Sequence, residues 1–346
     1  MKTALALLNG ETPDCSQIDW YEFSGFCDFH RIAGYLADKL PAGVPPQVRR
    51  HFDLQRACQA LRQQTLSDAA AEIEKALTEK GLSHAFLKGS ALCGECYAAG
   101  ERDSNDVDLL ILPEDAGGAG KTLEALGYVQ GRVEAGEIVP FSRAEIVSRR
   151  MNRGETAPYV RRAETALAPF VEIDLNFSPD ELPASDPRVV REFLSRSRPN
   201  ARGLTVLSDV DSLIFLCTHL YKEATVLSMV RRYKDLELYK YLDLSKLIPR
   251  VDSDAFRERV GALGLEKPCE YALYHAGLLF PQLGISCEVP EDVKEVRDPA
   301  DGGKVYEWRM DFSERLSDTG RLRALRPRSE CAAWQETLLR KIGRSL

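Results

Sequence analysis

The chain has 346 residues, a length that predicts two or three structural units. Its hydrophobic content of 44% and charged content of 29% are ordinary for a soluble protein. Its net charge of −7 and pI of about 5.5 argue against a standing nucleic-acid partner, which usually needs a basic face. We find no apolar run of about 18 residues and no secretory leader, so we expect no membrane span. The nine scattered cysteines indicate free thiols in a reducing cytoplasm.

The chain begins with a segment of helical apolar spacing, residues 1–80, which is clearest over 52–80. Lys80-Gly81 is a typical helix ending. We interpret this segment as a packing unit without chemistry. Residues 81–180 are expected to form an α/β core, and residues 181–346 a C-terminal helical domain.

The stretch 86–112 combines an apolar run, a Gly-Ser turn and a second apolar run, which predicts strand, helix and buried strand. Because side chains alternate along a strand, Asp106 and Asp108 point to one face and Val107 to the other. Two neighbouring carboxylates at the start of a buried strand repel each other and resist desolvation. A divalent cation resolves both problems.

Residues 115–122 nearly match a phosphate-binding loop, but Asp115 stands where the first glycine is required. We interpret them as a glycine-rich loop capping a helix over 117–127. Cys93 and Cys96 have the spacing of half a zinc site, yet no second pair follows, and both are expected on the helix after Gly-Ser.

The next elements lead to a third carboxylate. Residues 128–133 are predicted as a strand and 136–156 as a polar, basic flap. The apolar alternation over 170–177 predicts a strand on which Asp174 shares a face with Glu172.

Together with Asp106 and Asp108, Asp174 forms a constellation that can hold two Mg²⁺ ions. Such ions activate an attacking oxygen and stabilise a leaving pyrophosphate. The turn at Gly89 and Ser90 lets backbone N–H groups approach a triphosphate. A solvated strand end is the alternative interpretation of the Asp-x-Asp pair alone.

The remainder of the chain is predicted to be mostly helical after a proline-rich connection at 179–199. The expected helices are 209–225, 228–243, 252–264, 267–282 and 328–345, with an acidic loop at 287–305.

Within these helices, His219 is either a hydrogen-bonded core histidine or a residue near a substrate pocket. Asp235 is its partner or a packing anchor on another helix. Arg231-Arg232 form a solvated face or the rim of a cleft, and Lys222-Glu223 are expected to be exposed.

Several of these residues resemble the signature of the nucleotidyltransferase superfamily related to DNA polymerase β. They are Gly89-Ser90, Asp106-Val107-Asp108 and Asp174. Leu87-Lys88-Gly89, Tyr97, Arg102 and the run after Asp106 resemble more narrowly an uncharacterised bacterial nucleotidyltransferase family, found among polysaccharide and peptide biosynthesis genes. Asn176 stands where that family often has a histidine.

The resemblance implies an α+β fold with a small mixed sheet between the N-terminal helical segment and a C-terminal helical bundle. It also implies metal-dependent transfer of a nucleotide from an NTP to a hydroxyl, phosphate or amine of a small molecule or peptide. The alternatives left open are an enzyme acting on RNA or a protein side chain, a kinase-like γ-phosphoryl transferase, and a non-catalytic nucleotide-binding protein.

In this interpretation Asp106, Asp108 and Asp174 are the catalytic metal ligands, while Lys88 and Arg102 pair with phosphates. A salt bridge from Lys88 or Arg102 to the carboxylate cluster is the alternative. Two further residues are given structural roles. Tyr97 is expected in the core rather than stacked on a nucleobase, and Asp103 is expected to be a turn or cap residue.

Overall fold

The computed structural model describes residues 1–152, 154–179, 186–317 and 325–327. The helices are α1 Lys2–Leu8, α2 Trp20–Phe29, α3 Ala33–Leu36, α4 Pro46–Glu79, α5 Lys88–Leu92, α6 Ala116–Ala125, α7 Arg143–Asn152, α8 Pro187–Ser195, α9 Asp209–Thr225, α10 Leu227–Val230, α11 Leu238–Leu247, α12 Ser253–Leu263, α13 Glu266–Leu279 and α14 Phe312–Ser317. The strands are β1 His84–Phe86, β2 Val107–Ile111, β3 Val129–Glu134, β4 Glu137–Pro140, β5 Tyr159–Thr165, β6 Ala168–Asn176, β7 Arg198–Pro199, β8 Thr205–Val206, β9 Glu295–Asp298, β10 Lys304–Trp308 and β11 Leu325–Pro327.

Eight strands form one mixed sheet in the order β4-β3-β5-β6-β2-β1-β8-β7. Strand β2 lies at its centre, antiparallel to β1 and parallel to β6. Strands β9, β10 and β11 form a separate three-stranded sheet. The mixed sheet and the surrounding helices confirm the predicted α+β class. The main sheet also extends past residue 180, because β7 and β8 belong to it.

The side-chain alternation of β2 separates the two larger hydrophobic cores of the described residues, and a third, small cluster lies beside β9 and β10. Val107, Leu109 and Ile111 pack into a cluster under α4 and α6. Leu110, on the opposite face, packs into a larger cluster with α9, α11 and α13 and with the N-terminal helices. Each fully buried leucine or valine contributes about 1.5–3 kcal/mol, so both faces of β2 are strongly stabilised. The residues that alternate with the first set, Asp106 and Asp108, therefore face the helical bundle.

The long helix α4 covers one face of the sheet with its C-terminal half. It begins at Pro46, earlier than predicted. Proline is tolerated in the first turn of a helix because the backbone N–H groups there have no acceptor within the helix, so the missing N–H costs no hydrogen bond. It ends before Gly81, whose φ of +67° is the left-handed conformation that glycine adopts readily.

Several predicted elements differ in the structure. The helix expected over 228–243 is two helices, α10 and α11, separated by residues 231–237. The loop expected at 287–305 contains β9, and the flap at 136–156 contains β4 and α7. The connection at 179–199 includes α8, whose N-cap is Asp186. The helix expected at 328–345 lies outside the described residues.

In the part of the chain that the structure describes, none of the helices is both long and apolar enough to cross a membrane.

Candidate functional site

Two buried carboxylates lie side by side on the face of the sheet that points to the helical bundle. Asp108 of β2 and Asp174 of β6 are direct register partners on neighbouring parallel strands. Their strand neighbours Val107 and Ile173 form the same pairing one residue earlier and pack into the core behind them. Asp106 immediately precedes β2. The structure thus brings the three predicted carboxylates to one side of one pair of strands.

Lys88 forms an ion pair with this carboxylate group. Its Nζ atom donates to Oδ1 of Asp108 at 2.8 Å, and both side chains are largely buried. The backbone of Lys88 has a φ of +44°, an uncommon conformation for a residue with a Cβ atom. Such strain of about 1–3 kcal/mol persists where the surrounding structure fixes it. Here the backbone N–H of Leu87 donates to the carbonyl of Asp108 at 3.0 Å and holds the turn against β2.

Burial and mutual repulsion perturb the carboxylates. The pKa of Asp174 is raised well above its usual range, first by burial and then by the charges of Asp108 and Asp106. Burial also raises the pKa of Asp108, although the ammonium of Lys88 opposes the shift. Both groups therefore hold a proton more tightly than an exposed aspartate does.

A cleft between sheet and bundle contains these residues and has a volume of about 260 Å³. Charged side chains of both signs dominate its lining. The carboxylates come mainly from the sheet and the loops next to it, whereas the cations come from several elements. The lining cations are Arg31, Lys88, Arg102, Arg149, Lys222, Arg232 and Lys234.

Among the described residues, five acidic residues of the cleft lining are absent from the predicted site, and two of them, Glu172 and Glu155, act electrostatically on the predicted carboxylates. Glu172 lies two residues before Asp174 on the same face of β6, and its pKa is raised by burial first and by Asp106 next. Strand alternation already indicated this shared face. Glu155 also lines the cleft and raises the pKa of Asp174. No pattern in the sequence singled it out.

A buried ionic network forms the bundle side of the cleft. Nε2 of His219 lies 3.2 Å from Oε2 of Glu223, and Nζ of Lys240 lies 2.6 Å from the same oxygen. Burial, with the charge of Lys88, lowers the pKa of His219 to about 4, so the ring is neutral at neutral pH. His219 therefore lines the cleft, in agreement with the alternative that placed it near a substrate pocket.

The predicted exposure of Lys222 and Glu223 is wrong. Their relative exposures are 8% and 7%. Helix α9 packs against α11 and α13 as well as facing the cleft, so both sides of this helix are covered. The cation that makes burial of Glu223 tolerable is Lys240, from a different helix.

Arg102 lies at the cleft, but most of its guanidinium is already engaged. Its Nε and Nη2 atoms donate to the carboxylate of Asp243 at 2.9 and 2.7 Å. Tyr97 is buried and donates its hydroxyl to the same carboxylate at 2.8 Å. The alternative of a salt bridge therefore applies to Arg102, with Asp243 of α11 as its partner instead of the carboxylate cluster. Tyr97 is a core residue, as predicted.

Gly89 and Ser90 are placed differently from one another. Gly89 lines the cleft, and a Cβ atom there would clash with Ser104 Oγ and lie 2.7 Å from Nη1 of Arg102. Ser90 instead lines a small cavity under α4, where its carbonyl accepts a hydrogen bond from Arg202. The structure thus brings Lys88, Gly89 and Arg102 to the carboxylates and leaves Ser90 on the other side of α5. Ser104 of the cleft lining was not anticipated.

Asp103 and Asp235 have structural partners. Oδ2 of Asp103 accepts from Nε of Arg31 at 3.1 Å, which anchors the loop before β2 to the N-terminal segment. Oδ2 of Asp235 lies 3.9 Å from Nη2 of Arg315 in α14. Asp235 was predicted to be either the partner of His219 or a packing anchor. The acidic partner of His219 is Glu223, so the second alternative applies to Asp235.

Two sequence motifs turn out to be structural. The helix predicted over 117–127 is α6, Ala116–Ala125, and Gly117, Gly118 and Gly120 lie within it instead of in a loop before it. We expected Cys93 and Cys96 on α5, but both lie in the turn that follows this helix.

The carboxylates fit a divalent cation by their chemistry. They offer the hard oxygen ligands that Mg²⁺ prefers. Burial and mutual repulsion raise the pKa values of Asp108 and Asp174, and a bound cation would oppose both effects. Over the described ranges, no group of three His, Cys, Asp or Glu side chains is already arranged closely enough to hold a metal. At present the ammonium of Lys88 occupies one oxygen of Asp108.

Comparisons with known proteins give a family match over most of the chain. The model of a family described as an uncharacterised nucleotidyltransferase matches residues 16–281, which include all the residues that line the cleft. The crystal structure of an antigenic nucleotidyltransferase-like protein from Paracoccidioides brasiliensis aligns with a TM-score of 0.37 and 14% identity, covering 64% of this chain and 91% of that one. No curated protein gives a significant match.

Proposed function

Because the chain belongs to the family of uncharacterised nucleotidyltransferases, we propose that it moves an NMP group from an NTP to a small-molecule or peptide acceptor. The acceptor atom is an oxygen or nitrogen of a hydroxyl, phosphate or amine. It forms the new bond to the α-phosphorus, the bond from that phosphorus to the bridging oxygen breaks, and pyrophosphate leaves with the electron pair. The acceptor's proton is released when its atom is a hydroxyl or an amine.

The observation that carries this proposal is the pairing of Asp108 with Asp174 on parallel strands, with Asp106 beside them. We assign these three side chains as ligands of Mg²⁺. When bound, the metal neutralises phosphate charge and activates the acceptor oxygen. The parallel register fixes the spacing of the two strand carboxylates, so positioning comes from the sheet and not from flexible loops.

Lys88 and Gly89 serve the phosphates. The Lys88 ammonium is held in the cleft as a point charge that can move from Asp108 to a phosphate oxygen. Gly89 lines the cleft, and because it has no side chain, Ser104 and Arg102 can pack directly against its backbone. Arg102 contributes its remaining edge, Nη1, and otherwise holds the loop before Asp106.

The test is turnover with NTP labelled at the α- or γ-phosphate, in the presence of Mg²⁺ and candidate acceptors. We expect Asp108→Asn and Asp174→Asn to lower kcat by at least about 10²-fold, because charge stabilisation in the transition state is lost. Asp103→Asn is the matched control. It removes a carboxylate paired with Arg31 and is expected to leave kcat within a few-fold.

Other outcomes separate the alternatives. Transfer of the γ-label with release of NDP would identify a kinase-like enzyme. Binding of NTP without transfer to any acceptor would indicate a nucleotide sensor. Full turnover in Asp108→Asn would refute the assignment of this carboxylate.

A further inference from the structure

The turn between α10 and α11, residues 231–237, carries two cations to the cleft and is called the basic turn below. Arg232 and Lys234 line the cleft, whereas the neighbouring Arg231 is exposed and is not part of the lining. Neither Arg232 nor Lys234 forms an ion pair with any other residue in the described ranges. Within the described residues, no carboxylate therefore lies within ion-pair distance of their charged atoms. Glu237 of the same turn also lines the cleft, but its carboxylate pairs with Lys240 at 3.0 Å.

The backbone of this turn has an unusual ending for a helix. Tyr233 has a φ of +57°, its N–H donates to the carbonyl of Val230, and the N–H of Lys234 donates to the carbonyl of Met229. This is a Schellman motif in which tyrosine occupies the position that glycine usually takes. A strained residue persists where the surroundings fix it, and such residues cluster at functional sites.

A buried ammonium fixes the turn from beneath. Nζ of Lys240 donates to the carbonyl of Lys234 and also lies 2.6 Å from Glu223 and 3.0 Å from Glu237. Lys240 is only 6% exposed. Leu236, two residues after Lys234 in the same turn, is fully buried. The backbone that carries Arg232 and Lys234 is thus anchored, although the two side chains are exposed.

Arg232 and Lys234 line the same cleft as Asp106, Glu172 and Asp174. The basic turn therefore faces the acidic edge of the sheet. A simple anion would be repelled by these carboxylates, and a simple cation would be repelled by the turn. A polyphosphate that shares a divalent cation with the carboxylates satisfies both surfaces.

We propose that Arg232 and Lys234 of the basic turn bind the β- and γ-phosphates of the NTP, the part that leaves as pyrophosphate. This inference rests on the proposed function for the identity of the ligand. In it, Lys88 lies at the carboxylate side of the phosphates and the basic turn at the other. The turn then stabilises the charge that gathers on the leaving group when the bond to the α-phosphorus breaks.

The experiment measures binding of inorganic tripolyphosphate with Mg²⁺ to the full chain by calorimetry. We expect Arg232→Ala and Lys234→Ala each to raise the Kd on the order of tenfold, since each removes a charge-assisted contact. Arg231→Ala is the matched control and is expected to change the Kd less than about twofold, because Arg231 does not line the cleft. Lys234→Arg should retain binding.

Equal Kd values for the Arg231→Ala, Arg232→Ala and Lys234→Ala variants would overturn the inference. So would loss of turnover in Arg232→Ala and Lys234→Ala without a change in tripolyphosphate binding, which would assign the turn to the acceptor. Unchanged thermal midpoints exclude misfolding as the cause of any loss. If tripolyphosphate binding falls as expected but no NTP is ever turned over, the proposed function fails while the phosphate site stands.

Discussion

His219 is a neutral histidine held between the charges of Lys88 and Glu223. Its pKa is lowered from an ordinary 6.5 to about 4, so protonation disfavours the folded state. The unfolded chain takes up the proton first as the pH falls. Stability from this residue is therefore complete above pH 6.5 and is lost between about pH 6.5 and pH 4.

We predict that His219→Gln reduces the loss of unfolding free energy between pH 7.5 and pH 5.0 by about 2 kcal/mol, as the linkage relation gives. Urea unfolding at the two pH values measures this. The matched control is His51→Gln, at a more exposed histidine paired with Asp28. If His219→Gln keeps the full wild-type pH dependence, the ring is not neutral in the folded protein.

Single residues also show how far the sequence can be interpreted. Asp106, Asp108 and Asp174 were found from strand alternation, a local rule that needs no knowledge of the partner strand. Burial of Glu223 was missed because it depends on Lys240, which reaches it from another helix. The engagement of Arg102 was missed for the same reason, since Asp243 lies far along the chain. Local patterns cannot supply partners that only the tertiary fold brings close.

Among the elements, the loop before β2 and helix α11 are joined by one buried ion pair. Arg102 and Asp243 are 5% and 1% exposed, and Tyr97 completes the hydrogen bonding of the carboxylate. Removing one member leaves the other charge buried without a partner. Because Asp106 follows directly on this loop, the pair also positions a candidate metal ligand.

We predict that Arg102→Met lowers the free energy of unfolding by about 3–5 kcal/mol, whereas the double variant with Asp243→Leu loses much less. Denaturant unfolding of the two single variants and the double variant gives the coupling energy. If Arg102→Met instead has normal stability and a raised KM for NTP, the main role of Arg102 is to contact the ligand.

The break between α10 and α11 shows why one predicted element failed. Apolar spacing continues through residues 228–243, so periodicity alone predicts a single helix. Helix α10 instead ends at Val230, and Tyr233 in the turn after it lies in the left-handed region, a conformation found mainly at glycine. The compensation comes from Lys240 and from the burial of Leu236, neither of which is a helix-ending signal.

For the whole molecule, the two hydrophobic cores share the same central strand. Leu109 of β2 belongs to one core and Leu110 to the other. The larger core includes residues from α1–α3 as well as from α9, α11 and α13, so the N-terminal and C-terminal helices pack together. Neither core can be lost while the other remains complete.

We therefore predict that the residues that form these cores unfold in one cooperative transition. In differential scanning calorimetry, the calorimetric and van't Hoff enthalpies should agree within error, which is the criterion for a two-state process. Two resolved heat-absorption peaks would instead support independent units close to the predicted boundaries at residues 80 and 180.

The register between β2 and β6 also bears on how this protein can vary in evolution. Asp108 and Asp174 face each other because β2 pairs directly with β6, and the β3–β4 hairpin in the intervening chain does not contact either residue's strand through that pairing. Insertions or deletions between the two strands can therefore accumulate without moving the carboxylates. A single-residue insertion within β6, before Asp174, would turn that side chain into the opposite core. Length variation among relatives should be common in the first region and nearly absent in the second.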